Sequence, residues 1–135
     1  MALVRFLRER CQWDAAQTPR SLLPYMLEEA HEVAEAVVEE DDDELAAELG
    51  DLLLHLAFQL VLAEERGAFS PAEVAERVTH KMRRRHPHIY GDADSAEDWE
   101  ALKDRERRAE GRSVLEGLAR GLDPLSRAHR IQERV

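Results

Sequence analysis

The chain has 135 residues, enough for about one domain with a core of its own. Its formal net charge of −10 argues against non-specific binding to nucleic acid or to a membrane surface, because both attract basic proteins. The single cysteine, Cys11, excludes an intramolecular disulfide, and the charged first residues do not resemble a secretory signal, so we expect a cytoplasmic protein.

Abundant Ala, Leu, Glu and Arg with few aromatic residues favour an all-α fold of four to five helices. We read Thr18 as the cap and Pro19 as the first turn of the second helix, and Gly67 as the end of the third. Ser70 and Glu73 have the spacing of a capping box. From the periodicity of apolar residues we predict helices over 2–10, 21–39, 43–66, 71–85 and 96–108. The segments between them are a polar connector at 11–19, a charged connector or helix–helix turn at 39–44, a loop at 86–95 and a weakly amphipathic tail from 113.

The segment 52–63 is apolar nearly all round, which is typical of a buried helix and too short to span a bilayer. Two acidic pairs lie close to it in sequence. Glu29 and Glu32, and then Glu48 and Asp51, are each three residues apart and therefore share one side of a helix. If the two helices pack together, the four carboxylates converge on one point.

Two unit charges about 4 Å apart repel by roughly 4 kcal/mol at an effective dielectric near 20. Four converging carboxylates therefore need a divalent metal, raised pKa values or escape to water. Oxygen ligands without cysteine favour Mg²⁺ or Mn²⁺ over a structural zinc. Gly50, between Glu48 and Asp51, costs about 1 kcal/mol relative to Ala in a helix, so we expect something to approach the backbone there.

Other interpretations of the acidic residues stay open at this point. Each cluster alone also fits a solvated helix face or an acidic helix start. A di-iron bundle would need two Glu-x-x-His motifs, and the sequence has one, formed by Glu28 and His31. His55 is typical of a core histidine whose hydrogen bonds are satisfied. A non-catalytic acidic module that binds a partner protein is the third alternative.

Basic residues at the end of the fourth predicted helix suit phosphate binding. Lys81 and Arg85 lie four residues apart on one face and could hold a polyphosphate together, although a basic helix end is also favoured by the helix dipole. Lys81 and Lys103 are the only lysines of the chain. Trp99 fits either a packing anchor or a base-stacking residue.

The segment LLPYMLEEAHEVAEAV followed by ELGDLLLHLAFQLVLAEERGAF resembles the MazG family of nucleoside triphosphate pyrophosphohydrolases. The resemblance extends upstream to the CQWD segment at 11–14, downstream to the RRHPH segment at 84–88, and on to Trp99 and Lys103. It implies an all-α helical bundle of the all-α NTP pyrophosphatase type, present as a homodimer. It also implies Mg²⁺-dependent hydrolysis of nucleoside triphosphates to monophosphates and pyrophosphate.

The resemblance further implies roles for individual residues. Glu29, Glu32, Glu48 and Asp51 would coordinate the metal, and Glu28 would orient or activate water. Lys81 and Arg85 would contact phosphates. Trp99, Lys103, Trp13 and Asp14 would line the nucleotide site.

The same resemblance predicts a domain over residues 1–111. The tail, 112–135, resembles the segment that joins two such domains in the best-known members. A single-domain form and a shortened chain both fit this pattern.

Overall fold

A computed structural model of the chain describes residues 1–92, 98–113 and 115–134. Within those ranges it shows α-helices and no strand, which confirms the all-α prediction. The helices are α1 (Ala2–Arg10), α2 (Gln12–Ala16), α3 (Leu23–Glu39), α4 (Asp42–Glu65), α5 (Pro71–Arg85), α6 (Pro87–Tyr90), α7 (Trp99–Ala109) and α8 (Pro124–Gln132).

Three helices occupy segments where the sequence predicts none. The connector at 11–19 contains α2, the loop at 86–95 contains α6, and the tail contains α8. The first two have only five and four residues, which is too short for an apolar period to show. Residues 93–97, including the predicted start of the fifth helix at 96, lie outside the described residues.

The chain divides into two compact units, Met1–Val78 and Thr79–Val135, which are described separately. In the first unit α3 packs against α4, and α1 packs against α2 and α4. Apolar side chains from these helices and the turn before α3 form the core. They are Val4, Leu22, Ala57, Phe58, Val61 and Leu62.

Arg8 joins three helices of the first unit. Its guanidinium donates two hydrogen bonds to the Glu65 carboxylate on α4, at 2.9 and 2.8 Å. Its Nη1 donates to the carbonyl oxygens of Asp14 and Gln17, at 2.7 and 3.3 Å. These partners lie on α2, just after α2 and on α4. The Arg8 side chain therefore fixes the positions of α2 and α4 relative to α1.

The predicted start of α3 at Ser21 is two residues too early, and Thr18 and Pro19 are not its cap and first turn. Thr18 Oγ1 accepts a hydrogen bond from the Ser21 amide at 3.1 Å, but this closes a separate turn before the helix. The helix begins at Leu23, which puts Pro24 in its first turn. Proline lacks an amide proton and is tolerated there, whereas a start at Ser21 would place Pro24 further into the helix.

A two-residue connection turns the chain from α3 into α4. Glu40 has a left-handed backbone, with φ of 57°, and ends α3. The Asp41 side chain then accepts hydrogen bonds from the amides of Asp43 and Glu44, at 3.1 and 3.0 Å, and caps α4. The segment 39–44 thus contains the helix–helix turn that was one of its two predicted forms, confined to residues 40 and 41, and its other residues are helical.

The prediction of a buried helix over 52–63 holds only for the second half of α4. Ala57, Phe58 and Val61 are buried, but Leu53 is 66% exposed and Leu49 and Leu56 are about half exposed. The difference arises because the described part of the chain leaves this face of α4 largely uncovered. The exposed leucines form an apolar strip on the surface of the first unit.

By length and composition alone α4 could cross a membrane, with a mean hydropathy of 1.6 over 18 residues. Every 18-residue stretch of this helix nevertheless includes Glu48 and Asp51. Carboxylates are costly inside a bilayer, and the second half of α4 is the centre of the core. These features are typical of the core helix of a globular domain.

The predicted capping box before α5 is confirmed. The Glu73 carboxylate accepts a hydrogen bond from the Ser70 amide at 2.6 Å, and Ser70 Oγ accepts one from the Glu73 amide at 3.2 Å. In the second unit the side chains of Asp98 and Asp123 cap α7 and α8 by accepting hydrogen bonds from amides of the first turn. Leu102 of α7 is buried within this unit.

Candidate functional site

Three of the four predicted metal ligands converge between α3 and α4. A carboxylate oxygen from each of Glu29, Glu48 and Asp51 lies within 4.8 Å of the others. Glu29 comes from α3, whereas Glu48 and Asp51 lie one turn apart on α4. The antiparallel packing of two helices, each with acids at three-residue spacing, is what brings these groups together.

Glu32, the fourth predicted ligand, lies beside this group, and its side chain interacts with those of Glu29 and Glu48. Lost solvation raises the pKa of the Glu32 carboxyl, and the negative charges of Glu29 and Glu28 raise it further. The pKa of Glu48 is raised to about 7, first by lost solvation and then by the charge of Glu32. Glu28 itself is exposed on α3.

These properties fit a divalent cation. Carboxylates crowded within 4.8 Å repel one another, and lost solvation together with the neighbouring carboxylates raises the pKa of Glu48. The donor set is all oxygen, which suits Mg²⁺ or Mn²⁺. His31, required by the di-iron alternative, is exposed and is not a member of the converging group. The arrangement therefore gives that alternative no support.

An aromatic series leads from the acidic group toward solvent. His55 Nε2 lies 3.6 Å from Glu29 Oε1, and the His55 ring is parallel to that of Tyr25, with centroids 6.1 Å apart. Tyr25 in turn meets the edge of Trp13, at 6.3 Å between centroids. His55 is not the satisfied core histidine that we expected, because its buried Nδ1 has no hydrogen-bond partner among the described residues.

The two predicted site residues on α2 differ in exposure. Trp13 is 54% exposed and can contact a ligand, whereas Asp14 is only 8% exposed. The carbonyl oxygen of Asp14 is fixed by the hydrogen bond from Arg8. Asp14 thus offers little surface to a bound molecule.

The second unit contains the predicted basic site residues. Lys81 is exposed and has no charged or hydrogen-bonding partner within the described ranges. Lys103 forms an ion pair with Glu100, one turn earlier on α7. Lys81 is therefore the more available of the two lysines for an anion.

Arg85 is held from two sides. Its Nε and Nη2 donate to Glu106 Oε2 at 3.0 and 2.7 Å, and its guanidinium carbon lies 5.0 Å from the centroid of the Trp99 ring. The His86 ring also approaches Trp99, with centroids 5.7 Å apart. Trp99, which is 40% exposed, is thus at once a packing partner of Arg85 and available at the surface.

A cavity of about 330 Å³ lies in the second unit. Seven basic and three acidic side chains line it, so it has an excess of positive charge in a chain of net charge −10. Lys81, Arg85 and Lys103 all reach it, and Trp99 does not. An anionic group is the ligand that such a lining favours.

Sequence reasoning missed Tyr25, His55 and Glu106. A signal existed for the first two, because Tyr25 precedes Glu29 by four residues and His55 follows Asp51 by four, which puts each on the face of an acid. No local pattern marks Glu106, since its partner Arg85 is 21 residues away in sequence.

Known proteins resemble most of this chain. The MazG nucleotide pyrophosphohydrolase domain matches residues 17–90. The nucleoside triphosphate pyrophosphohydrolase/pyrophosphatase MazG of Thermotoga maritima is 42% identical over 127 residues, covering 93% of this chain and 50% of that protein. The nucleoside triphosphate pyrophosphohydrolase of Escherichia coli K12 is 40% identical over 132 residues, covering 92% and 50%. Uncharacterized protein YabN of Bacillus subtilis is 36% identical over 140 residues, covering 98% and 29%.

The chain thus spans about half the length of the first two of these relatives. The domain match covers more than half of the chain and includes both acidic motifs, from Glu28 to Asp51. This match and the identities of 40% and above agree with the convergence of the acids between α3 and α4. The chain belongs to the MazG nucleotide pyrophosphohydrolase family.

Proposed function

We propose that this chain hydrolyses nucleoside triphosphates to nucleoside monophosphates and pyrophosphate. The observation that carries the proposal is the convergence of Glu29, Glu48 and Asp51 in a chain of this family. Two relatives that are about twice as long bear the name of this activity. The basic cavity of the second unit supplies side chains suited to a polyphosphate.

Family membership implies a requirement for a divalent metal, and we assign it as Mg²⁺ with Mn²⁺ as a substitute. Its proposed ligands are Glu29, Glu32, Glu48 and Asp51. When bound, the ion would offset phosphate charge and lower the pKa of a water molecule. Glu48 has to give up its proton before it can bind the ion, because its pKa is raised to about 7.

The remaining chemistry is assigned to side chains of this chain. Glu28, exposed on α3 beside the ligands, accepts the proton of the attacking water. The water oxygen bonds to the α-phosphorus while the bond to the bridging oxygen breaks, and pyrophosphate leaves with the electron pair. Lys81 and Arg85 bind the phosphates and offset the charge that develops on the leaving group.

The nucleoside is assigned to aromatic and polar side chains. Trp13 and Trp99 have exposed ring surface on which a base can stack, and Lys103 can contact the sugar or base. Asp14 is buried, so we assign it a supporting role behind Trp13. Stacking on an aromatic ring tolerates different bases, which suits a permissive enzyme.

We further propose that the chain forms a homodimer through the exposed strip on α4. Leu49, Leu53 and Leu56 are exposed in the single chain although they belong to the helix at the centre of the core. A second copy of the same helix would cover them. The pyrophosphohydrolase domain is assigned to residues 1–111, with 112–135 as a connecting segment.

A product assay tests this function. Canonical and modified nucleoside triphosphates are incubated with Mg²⁺, and pyrophosphate and phosphate are measured separately. We expect pyrophosphate as the sole inorganic product and no turnover in excess EDTA. Asp51→Ala should lower kcat/KM at least about a hundredfold, whereas Glu35→Gln, which removes an exposed carboxylate on α3, should not change it. Phosphate as the product, or full activity of Asp51→Ala, would refute the proposal.

A further inference from the structure

The Glu106 carboxylate is the point at which the end of α5 is tied to α7 by polar contacts. Its Oε1 accepts a hydrogen bond from Arg84 Nε at 3.0 Å, and its Oε2 accepts two from Arg85, at 3.0 and 2.7 Å. Each oxygen therefore serves one arginine. The Glu106 side chain is only 20% exposed and lines the basic cavity.

The two arginines would not adopt this arrangement without an acceptor between them. Consecutive helical residues point about 100° apart, so Arg84 and Arg85 diverge from the α5 axis. A shared carboxylate with one oxygen for each of them draws both guanidinium groups to the same wall of the cavity. Trp99 fixes the Arg85 guanidinium further by stacking on it.

The contact also determines which part of Arg85 faces a ligand. Glu106 occupies Nε and Nη2, and Nη1 has no partner among the described residues. Lys81, four residues before Arg85 on the same helix face, is likewise without a partner there. A phosphate in the cavity can thus be met by Lys81 and by the remaining edge of Arg85.

The negative charge of Glu106 has a second consequence, because it offsets part of the positive charge of the cavity. A polyphosphate is therefore bound less tightly than the basic residues alone would allow. Glu106 thus orders the two arginines while it weakens the attraction of the cavity for a polyphosphate. In an enzyme that releases pyrophosphate, weaker attraction favours release of the product.

We propose that Glu106 is a positioning residue that orients Arg85 toward the phosphates and limits the affinity of the cavity for pyrophosphate. The inference rests on the proposed function, because it assigns Arg85 to the same substrate. In this role Glu106 acts through the arginines that it holds, and not by binding the phosphates itself.

Two substitutions separate its geometry from its charge. Glu106→Asp keeps the charge but is one methylene too short to serve both arginines. Glu106→Gln keeps the shape but removes the charge. We expect both to lower kcat by roughly ten- to a hundredfold through misplacement of Arg85. Only Glu106→Gln should tighten the binding of inorganic pyrophosphate, by roughly two- to fivefold, the size of one exposed ion pair.

Asp104→Asn is the matched control. Asp104 also lies on α7 and pairs with Arg107, which lines the cavity, and with Arg108, at 3.2 and 2.6 Å, but Asp104 itself does not line the cavity and, among the described residues, its ion pairs do not include Arg85. Its substitution removes the same charge from the same helix and should leave kcat within about twofold of wild type, a change no larger than that of one surface ion pair.

The measurements are kcat and KM for a nucleoside triphosphate, the Kd of pyrophosphate by calorimetry, and the helical content by circular dichroism, all on the full chain. Wild-type kcat in both Glu106 variants would overturn the inference. So would an equal loss in Asp104→Asn, or a loss of kcat that only follows a loss of helical content. An inactive wild-type protein would instead refute the proposed function itself.

Discussion

The raised pKa of Glu48 makes the affinity for Mg²⁺ depend on pH in a defined manner. With a pKa of about 7 in the metal-free protein, this carboxyl is half protonated at pH 7, and binding must displace that proton. The ionised fraction falls from about nine tenths at pH 8 to about one tenth at pH 6. The apparent Kd for Mg²⁺ should therefore rise about tenfold between these two values.

Isothermal titration calorimetry at pH 6, 7 and 8 measures this effect. Repeating the titration in buffers of different ionisation enthalpy counts the released protons, and we expect about half a proton per ion at pH 7. Glu48→Gln should weaken binding and reduce the proton release. Glu35→Gln should leave both unchanged because Glu35 is exposed and outside the acidic group. An affinity that does not change between pH 6 and 8 would refute the reasoning.

The same raised pKa gives a stability effect of defined sign. Folded Glu48 binds a proton more tightly than the unfolded residue, whose pKa is 4.5. Its contribution to the free energy of unfolding is therefore greatest below pH 4.5 and is lost as the pH rises to about 7. Glu106 acts in the opposite direction, because the hydrogen bond from Arg85 lowers its pKa and its contribution is lost on acidification. Thermal melts at pH 5 and 8, each with and without added Mg²⁺, test the effect of Glu48. Mg²⁺ should raise Tm more at pH 8 than at pH 5, because Glu48 is then ionised and can bind the ion.

Three further substitutions test the packing of the first unit. Gly50→Ala should raise the free energy of unfolding in urea by about 1 kcal/mol, since among the described residues a Cβ there meets nothing within 4 Å beyond its own helix backbone; a decrease would place another surface against this residue. Leu53→Lys should convert the proposed dimer to a monomer in light scattering coupled to size exclusion, and an unchanged mass would exclude the strip on α4 as the interface. Arg8→Ala should lower the free energy of unfolding in urea by about 2–3 kcal/mol, because it removes charged hydrogen bonds to Glu65; a loss below 0.5 kcal/mol, the ordinary size of a surface substitution, would contradict that.

The parts of the fold predicted correctly are those governed by local rules. The capping box at Ser70 and the end of α5 before Pro87 depend on a few neighbouring residues, and both are where the sequence places them. The convergence of the acids needed one further assumption, that consecutive antiparallel helices pack together. Because each pair lies at three-residue spacing, that assumption was sufficient.

The parts that could not be predicted depend on distant partners. The exposure of Leu53 was missed because apolarity indicates that a residue favours burial, not that this chain supplies the covering surface. We expected a close neighbour at Gly50, and within the described residues nothing lies near its missing side chain. The hydrogen bond from Arg85 to Glu106 joins residues that are 21 apart in sequence and have no periodic relation, so no local sequence pattern predicts it.

The turn at Glu40, which has a left-handed backbone, fixes where the acidic pairs of α3 and α4 lie relative to each other. Glu32 precedes it by eight residues and Glu48 follows it by eight, so both carboxylates stand about 12 Å from the turn along their helices. One residue inserted within either helix, between the turn and the acidic pair, would rotate that pair by about 100° about the helix axis. The number of helical residues between each acidic pair and the turn is therefore under tighter constraint than the identity of Glu40: Glu40→Gly, which relieves the left-handed backbone, should be tolerated where a single alanine inserted between Glu32 and Glu39 should not.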